Sequence, residues 1–251
     1  MNTVVRAELL TAFPVAAAAA GAMIAVWRRP SGLVMSAVQH FAAGVVIAAL
    51  VGEILPDLKD EGQWAWALGG FALGVGVVLA LGAWGRRLDA RPKERSAGAD
   101  RSELARGLPM GLIAAVAIDL LIDGSLIGLG TTLGSTQAII LTTALTIEIL
   151  FLALSVQGEL VDAGMSAWPA ASMSGGLGLL TGVGAIASAA LLAGAGAGLV
   201  AAVLAFGAAA LLYLAVEELL VEAHDEDEST ALTAMFFLGF VVIYGLAQLG
   251  G

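Results

Sequence analysis

Long apolar runs, separated by short polar stretches, make up most of the chain. A transmembrane helix needs about 20 mostly apolar residues to cross the hydrocarbon core of a bilayer. Because little more than glycine-rich sequence separates the last three apolar runs, a chain that crosses the membrane seven or nine times is the alternative to eight crossings. The pattern predicts an all-α integral membrane protein with one transmembrane domain over residues 1–251. Eight runs are long enough to cross: 7–27, 33–55, 64–85, 108–130, 136–158, 168–192, 197–221 and 231–249.

The basic residues predict the orientation of these helices. Arg28 and Arg29 follow the first run, whereas a signal peptide carries its positive charge before the apolar segment. If the N-terminus lies outside, both arginines and all the basic residues of 86–106 face the cytoplasm, and only Arg6 and Lys59 lie outside. That asymmetry agrees with the positive-inside rule. We therefore expect a multi-pass protein of the plasma or inner membrane, with both termini outside.

Residues 86–107 are polar and mixed in charge, which predicts a flexible cytoplasmic linker between the third and fourth helices. Its basic residues fit a topology signal, and binding to lipid headgroups is the alternative.

Composition supports a membrane protein and narrows the partners. Hydrophobic residues make up 59% of the chain and charged residues 13%, against about 45–50% and about 25% in soluble domains. The formal net charge of −10 argues against nucleic acid and favours cationic partners. The chain has no cysteine, which excludes disulfides and thiolate metal sites.

The second and seventh runs align with each other. When Glu53 is placed on Glu218, Asp57 meets Glu222 and a phenylalanine meets a phenylalanine. The two runs cross in opposite directions, so we expect an inverted repeat of the kind found in many secondary transporters. One acidic pair then lies near the outer mouth and the other near the inner mouth. The alternative is two unrelated helix ends with solvated acids.

Three acids lie at the middle of predicted spans. Asp119 and Asp123 share one face of the fourth span, one turn apart, and Glu148 lies in the fifth. An ionised acid at the bilayer centre costs at least about 2.5 kcal/mol on insertion scales, and no basic residue lies inside a predicted span to pair with it. A divalent cation would offset the mutual repulsion of these acids. The alternative is a protonated carboxyl that hydrogen-bonds between helices.

Hydroxyl groups near these acids offer further oxygens. We expect Ser125, Thr142, Thr143 and Thr146 to bond mainly to the backbone of their own helices, with metal binding as the alternative.

Several stretches resemble the ZIP family of divalent-metal transporters. Residues 40–44 read His-Phe-Ala-Ala-Gly, 53–57 read Glu-Ile-Leu-Pro-Asp, and 217–224 read Glu-Glu-Leu-Leu-Val-Glu-Ala-His, similar to the family's Glu-Glu-Leu-Ile-Pro-Glu-Ala-His. Residues 119–124 read Asp-Leu-Leu-Ile-Asp-Gly where the family has His-Asn-x-x-Glu/Asp-Gly. Residues 147–151 read Ile-Glu-Ile-Leu-Phe where it has His-Glu-Ile-Pro-Glu. The resemblance implies a ZIP-like eight-helix bundle that moves divalent metals towards the cytoplasm.

The chain departs from the family at the metal site. Asp119 and Ile147 replace two histidines, Leu120 an asparagine, Phe151 a glutamate, and Thr181 a glutamate that the family often carries on its sixth helix. The family's two-metal site therefore does not carry over, and its histidine-rich loop is absent. Carboxylates alone suit Mn²⁺, Mg²⁺ or Ca²⁺ better than a histidine-rich site would, although Zn²⁺ also accepts them.

The chain has only two histidines. His40 lies in the first half of the second span, where we expect a buried hydrogen-bonding residue rather than a ligand. His224 belongs to the acidic run 222–228, which either captures cations leaving the pore or forms a solvated turn.

These observations predict a transporter for divalent cations such as zinc or manganese, carried as substrate and without an organic cofactor. It is not expected to be an enzyme. Its partners are divalent metal ions and the lipid bilayer, and a homodimer stays open. The candidate metal-binding residues, in order from entry through the central site to exit, are Asp57, Glu53, Asp119, Asp123, Glu148, Glu218, Glu222 and His224.

Three other functions stay open. An intramembrane hydrolase would need two aspartates about 3 Å apart that share a proton, with Asp119 and Asp123 as the pair. A ZIP-like protein that carries a different cation keeps the fold and changes the substrate. A related protein that binds or senses metal without transporting it would keep only the metal site.

Overall fold

The structure, a computed structural model, describes residues 2–95, 109–224 and 229–250. Eight helices in these segments are long and apolar enough to cross a membrane, and the described residues form no strand. The predicted all-α membrane bundle with eight spans is thus confirmed. The helices, in chain order, are α1 (Thr3–Trp27), α2 (Gly32–Glu61), α3 (Trp64–Arg95), α4 (Met110–Leu133), α5 (Ser135–Asp162), α6 (Ala167–Leu192), α7 (Ala197–Leu219, extended by Leu220–Ala223) and α8 (Thr230–Gly250).

Two helices extend furthest beyond their predicted ends. Helix α3 continues to Arg95, into the stretch predicted as a linker, and residues 96–108 lie outside the described part. Arginine, lysine and glutamate are good helix formers, so the helix can continue where the apolar pattern stops. Helix α2 continues to Glu61 and takes in Lys59, close to its end.

Helices α2 and α7 share a rare backbone feature. Each contains a π-helical segment, Leu50–Ile54 in α2 and Leu214–Leu219 in α7. These segments carry Glu53 and Glu218, the two acids that the sequence repeat aligns. π-Helical turns are uncommon and occur often at functional sites. The aligned residues therefore have the same unusual local structure.

The packing partners of the helices follow the same repeat. The five most extensive contacts join α1 to α5, α1 to α6, α4 to α6, α2 to α8, and α3 to α7. Exchanging α1 with α6, α2 with α7, α3 with α8 and α4 with α5 turns each of these pairs into a pair of the same set. This is the packing that an inverted repeat with a two-fold axis in the membrane plane produces.

Glycines bring α4 and α6 into close contact. A Cβ atom built on Gly124 would lie 2.0 Å from the backbone oxygen of Thr181, and one on Gly184 would lie 2.2 Å from that of Leu121. Small residues are favoured at such interfaces because packing, rather than the hydrophobic effect, holds helices together in lipid. Gly124 directly follows Asp123, so this contact positions the predicted site.

An ion pair joins the ends of two helices. Arg29, just after α1, binds Asp162, the last residue of α5, through two nitrogens, with Nη1 2.7 Å from Oδ1. The hydrogen bond with Asp162 raises the pKa of Arg29 above its ordinary value. Both side chains are more than half exposed, so the pair adds little stability. It does show that α1 and α5 end on the same face of the bundle, as eight alternating spans require.

Substitution of Gly124 tests the contact between α4 and α6. Gly124→Ala would drive a methyl group into the backbone of Thr181, and overpacking of this kind typically costs about 1–3 kcal/mol. We expect a lower thermal unfolding temperature for the purified variant in detergent. Gly182→Ala, on α6, is the matched control, because nothing lies within 4 Å of its added Cβ atom. Equal unfolding temperatures for the two variants would contradict the packing.

Single cysteines test the orientation, since the chain contains none. Gln63, between α2 and α3, and Ala193, after α6, are exposed and predicted to lie outside, whereas the exposed Ser166, before α6, is predicted to lie inside. A membrane-impermeant maleimide should label cysteine at 63 and 193 in intact cells, and at 166 only after permeabilisation. The reverse pattern would invert the topology, and labelling of all three in intact cells would overturn the order of the spans.

Candidate metal centre

Three acids from two helices converge inside the bundle. One carboxylate oxygen from each of Asp119, Asp123 and Glu148 lies within 4.8 Å of the others. Asp119 and Asp123 come from the same face of α4, because residues four apart stack along a helix. Helix α5 supplies Glu148 at the same depth. The predicted convergence is confirmed.

These carboxylates are buried and short of partners. Asp123 and Glu148 are each 1% exposed, and Asp119 is half-buried. Both carboxylate oxygens of Asp123 and of Glu148, together with Oδ2 of Asp119, have no hydrogen-bond partner among the described residues. A buried oxygen without a partner is costly, and several such oxygens aimed at one place are rare in folded proteins.

No basic residue neutralises the cluster within the described part of the chain. The three acids take part in no ion pair there, and Arg29–Asp162 lies at the end of the bundle. Arg6, Lys59 and the basic residues at the end of α3 do fall inside the observed helices, but all of them lie outside the apolar runs predicted to cross the membrane. Carboxylates this close repel one another strongly in a medium of low dielectric constant. A cation bound between them removes this repulsion.

Asp119 and Glu218 line one cavity. It has a volume of about 50 Å³, and α3, α4 and α7 form its walls. Asp119 lies in one wall and Glu218, which is exposed, in another. Glu53, the repeat counterpart of Glu218, is only 8% exposed, so the bundle is more open at Glu218 than at Glu53.

Most of the hydroxyl groups near the three acids donate hydrogen bonds to the backbone of their own helices. Ser125, Thr143 and Thr146 donate to the backbone oxygen four residues earlier, at 2.8, 2.8 and 2.6 Å, as predicted. Thr142 differs, because its buried hydroxyl has no partner among the described residues. The same holds for Thr181, whose side chain is fully buried.

The other predicted site residues lie outside the three-acid cluster. Glu53 is buried and Asp57 half-buried, both near the end of α2. His224 is exposed, and its ring contacts the backbone oxygen of Leu220. The side chain of Glu222 and residues 225–228 lie outside the described part, so their predicted role in exit stays a prediction.

Apolar side chains occupy three positions at which the ZIP pattern has further metal ligands. Leu120 is 3% exposed, and Ile147 and Phe151 pack against the hydrophobic core. An additional charge desolvated among such groups would be costly. The donor set therefore fits one cation rather than two.

The geometry does not favour an aspartate dyad. Such a dyad shares one proton between carboxyls about 3 Å apart. Neither oxygen of Asp123 has a hydrogen-bond partner among the described residues, Asp119 included.

Comparison with known proteins adds no identification. No model of a known protein family matches the chain, and a search of curated proteins finds no significant match.

Neutralising one acid tests the cluster as a cation site. We expect the purified protein to bind one Mn²⁺, Zn²⁺ or Cd²⁺ ion and Asp123→Asn to weaken that binding at least about tenfold, or about 1.4 kcal/mol. Binding should also weaken as the pH falls, because protons compete for the same oxygens. Isothermal titration on metal-free protein measures both, with the exposed Glu8→Gln as the control. Binding by Asp123→Asn equal to that of the parent would rule out this site.

Proposed function

We propose that the protein transports divalent metal cations across the membrane through the site formed by Asp119, Asp123 and Glu148. The observation that carries the proposal is the convergence of three carboxylates, at one depth in a membrane bundle, with no basic partner among the described residues. Ionisable residues inside a membrane most often mark the path of an ion or substrate. A cation is the substrate that such a site would hold.

The surroundings of the cluster support passage rather than permanent storage. Asp119, one of the three acids, and the exposed Glu218 line the same cavity. On the opposite half of the repeat, the buried Glu53 occupies the equivalent position. Two related halves, one more open than the other, are what alternating access requires of a transporter with an inverted repeat.

The resemblance to the ZIP family supports the same proposal. Two of the matching stretches, 53–57 and 217–224, overlap the two π-helical segments. On this basis we propose a divergent ZIP-like transporter that moves its substrate towards the cytoplasm, past Asp57 and Glu53 to the cluster and out past Glu218.

The charge of the cluster defines the substrate class. Three ionised carboxylates carry −3, so one divalent ion leaves a charge of about −1, which one proton can remove. Oxygen ligands favour Mn²⁺ and other hard cations, and Zn²⁺ also binds carboxylates. We therefore expect Mn²⁺ and Zn²⁺ to be carried and monovalent ions to be excluded.

Uptake into liposomes tests transport directly. Vesicles that contain the purified protein should accumulate Mn²⁺ or Zn²⁺ faster than empty vesicles. Asp123→Asn and Glu148→Gln should each lose at least about 90% of that rate. A loss of only about 1.4 kcal/mol in the binding free energy of the ion already weakens its binding tenfold. Glu8→Gln should transport like the parent because its side chain is exposed and distant in sequence from the site.

Two outcomes would count against the proposal. Uptake that survives in both site variants would show that ions take a different route. Tight binding of Mn²⁺ without uptake, under conditions in which the protein is folded and oriented both ways, would favour a protein that binds or senses metal.

A further inference from the structure

A groove lies between α1 and α5 at the surface of the bundle. Leu10 and Phe13 of α1 line it on one side, and five residues of α5 between Ile139 and Ile147 line it on the other. Its volume is about 380 Å³, within the range of about 300–1,000 Å³ that is usual for ligand pockets. Phe13 is 63% exposed and Ile139 is 53% exposed, so the groove opens towards the lipid.

Three of the residues that line the groove are threonines, and one of them has an unused hydroxyl. Thr143 and Thr146 donate to backbone oxygens of their own helix, at 2.8 and 2.6 Å. Thr142 is only 4% exposed, and its hydroxyl has no hydrogen-bond partner among the described residues. A buried hydroxyl without a partner is costly. The two rotamers that threonine adopts in helices differ in the direction of the hydroxyl, so an acceptor in the groove is able to recruit it.

The depth of Thr142 in the membrane indicates which acceptor is available. Helix α5 has 28 residues and is therefore roughly 42 Å long, about 12 Å longer than the hydrocarbon core is thick. Thr142 lies roughly 10 Å from the start of this helix. If the helix is centred in the bilayer, Thr142 lies roughly 4 Å inside the core. The ester groups of a glycerolipid join its headgroup region to its acyl chains, so they lie close to this depth.

The lining of the groove favours a neutral and mostly apolar ligand. No charged side chain is among the described residues that line it, and Leu10, Phe13, Ile139 and Ile147 are apolar. A metal ion or a charged headgroup would be desolvated there without a counter-charge. An acyl chain matches the apolar walls. A carbonyl oxygen, which can only accept, matches a hydroxyl that has no acceptor.

We propose that the groove between α1 and α5 binds one glycerolipid, with an acyl chain in the groove and an ester carbonyl that accepts a hydrogen bond from Thr142. The ligand class is a diacyl lipid of the leaflet in which α1 and α5 begin. The site shares no residue with the three-acid cluster. It rests on the groove and on the hydroxyl of Thr142, and not on the proposed transport.

Two lipids that differ only in their ester groups test this proposal. A diester phosphatidylcholine carries two carbonyl oxygens, whereas a diether phosphatidylcholine with chains of the same length carries none. Each lipid is titrated into the delipidated protein in detergent, and native mass spectrometry counts the lipids bound. We expect the first diester lipid to bind about fivefold more tightly than the first diether lipid, which corresponds to about 1 kcal/mol. Equal affinity for the two lipids would overturn the proposal.

Threonine variants locate the hydrogen bond. Thr142→Val removes the unused hydroxyl and should bind both lipids equally, whereas Thr142→Ser keeps a hydroxyl and should keep the preference for the diester. Thr143→Val is the matched control, because Thr143 lines the same groove but its hydroxyl already donates to Ile139. We expect this control to prefer the diester lipid as the parent does.

The same titrations separate this site from lipid that merely surrounds the helices. A preference for the diester that survives in Thr142→Val would place the lipid elsewhere on the bundle and overturn the proposal. Loss of the preference in Thr143→Val as well would also overturn it, because the effect would then not belong to Thr142. Neither outcome bears on the three-acid cluster, whose residues are unchanged in every protein compared.

Discussion

Carboxylates in the middle of a membrane bundle must find a counter-charge. Lipid supplies no water to solvate them, and the described residues supply no basic partner to Asp119, Asp123 or Glu148. The unpaired oxygens of these residues are the ones that the proposed cation would bind. A sequence that kept the acids without such a role would carry a cost in stability with nothing to offset it.

The rest of the architecture holds this cluster in place. Glycines let α4 approach α6 at the turn beside Asp123, so the helix that supplies two of the acids is fixed by backbone contact. The repeat surrounds the cluster with two related helices, α2 and α7, each with a π-helical segment at the equivalent acid. Such segments change the direction in which side chains point, and they place Glu218 beside the cavity that reaches Asp119.

Much of the fold was predictable from the sequence because lipid imposes a simple rule on helix length and polarity. The eight spans agree with the predicted runs to within a few residues at most ends. The cluster was predictable for a related reason, since acids in apolar sequence are costly and residues four apart share a helix face. The buried hydroxyl of Thr142, which has no partner among the residues that the structure describes, was missed because the backbone bond that threonines usually make was expected there as well.

Other features had no sequence signal strong enough to find them. The extension of α3 to Arg95 follows helix propensity, which acts in water and is invisible to a search for apolar runs. The π-helical segments depend on how α2 and α7 pack, and no residue pattern marks them. The meeting of His40 with His224 and of Arg29 with Asp162 depends on which helix ends are neighbours. Which helix ends are neighbours is known only from the tertiary structure, although the repeat indicated that α2 and α7 are related.

The central claim is that one divalent cation binds between the three buried carboxylates. Anomalous X-ray diffraction from crystals grown with Mn²⁺ or Cd²⁺ tests it most directly. The account predicts a single peak in the cluster, with an oxygen of Asp119, of Asp123 and of Glu148 about 2.0–2.6 Å from the ion, as is usual for metal–oxygen bonds. A cluster without a peak, in which the carboxyls hydrogen-bond to one another, would contradict it.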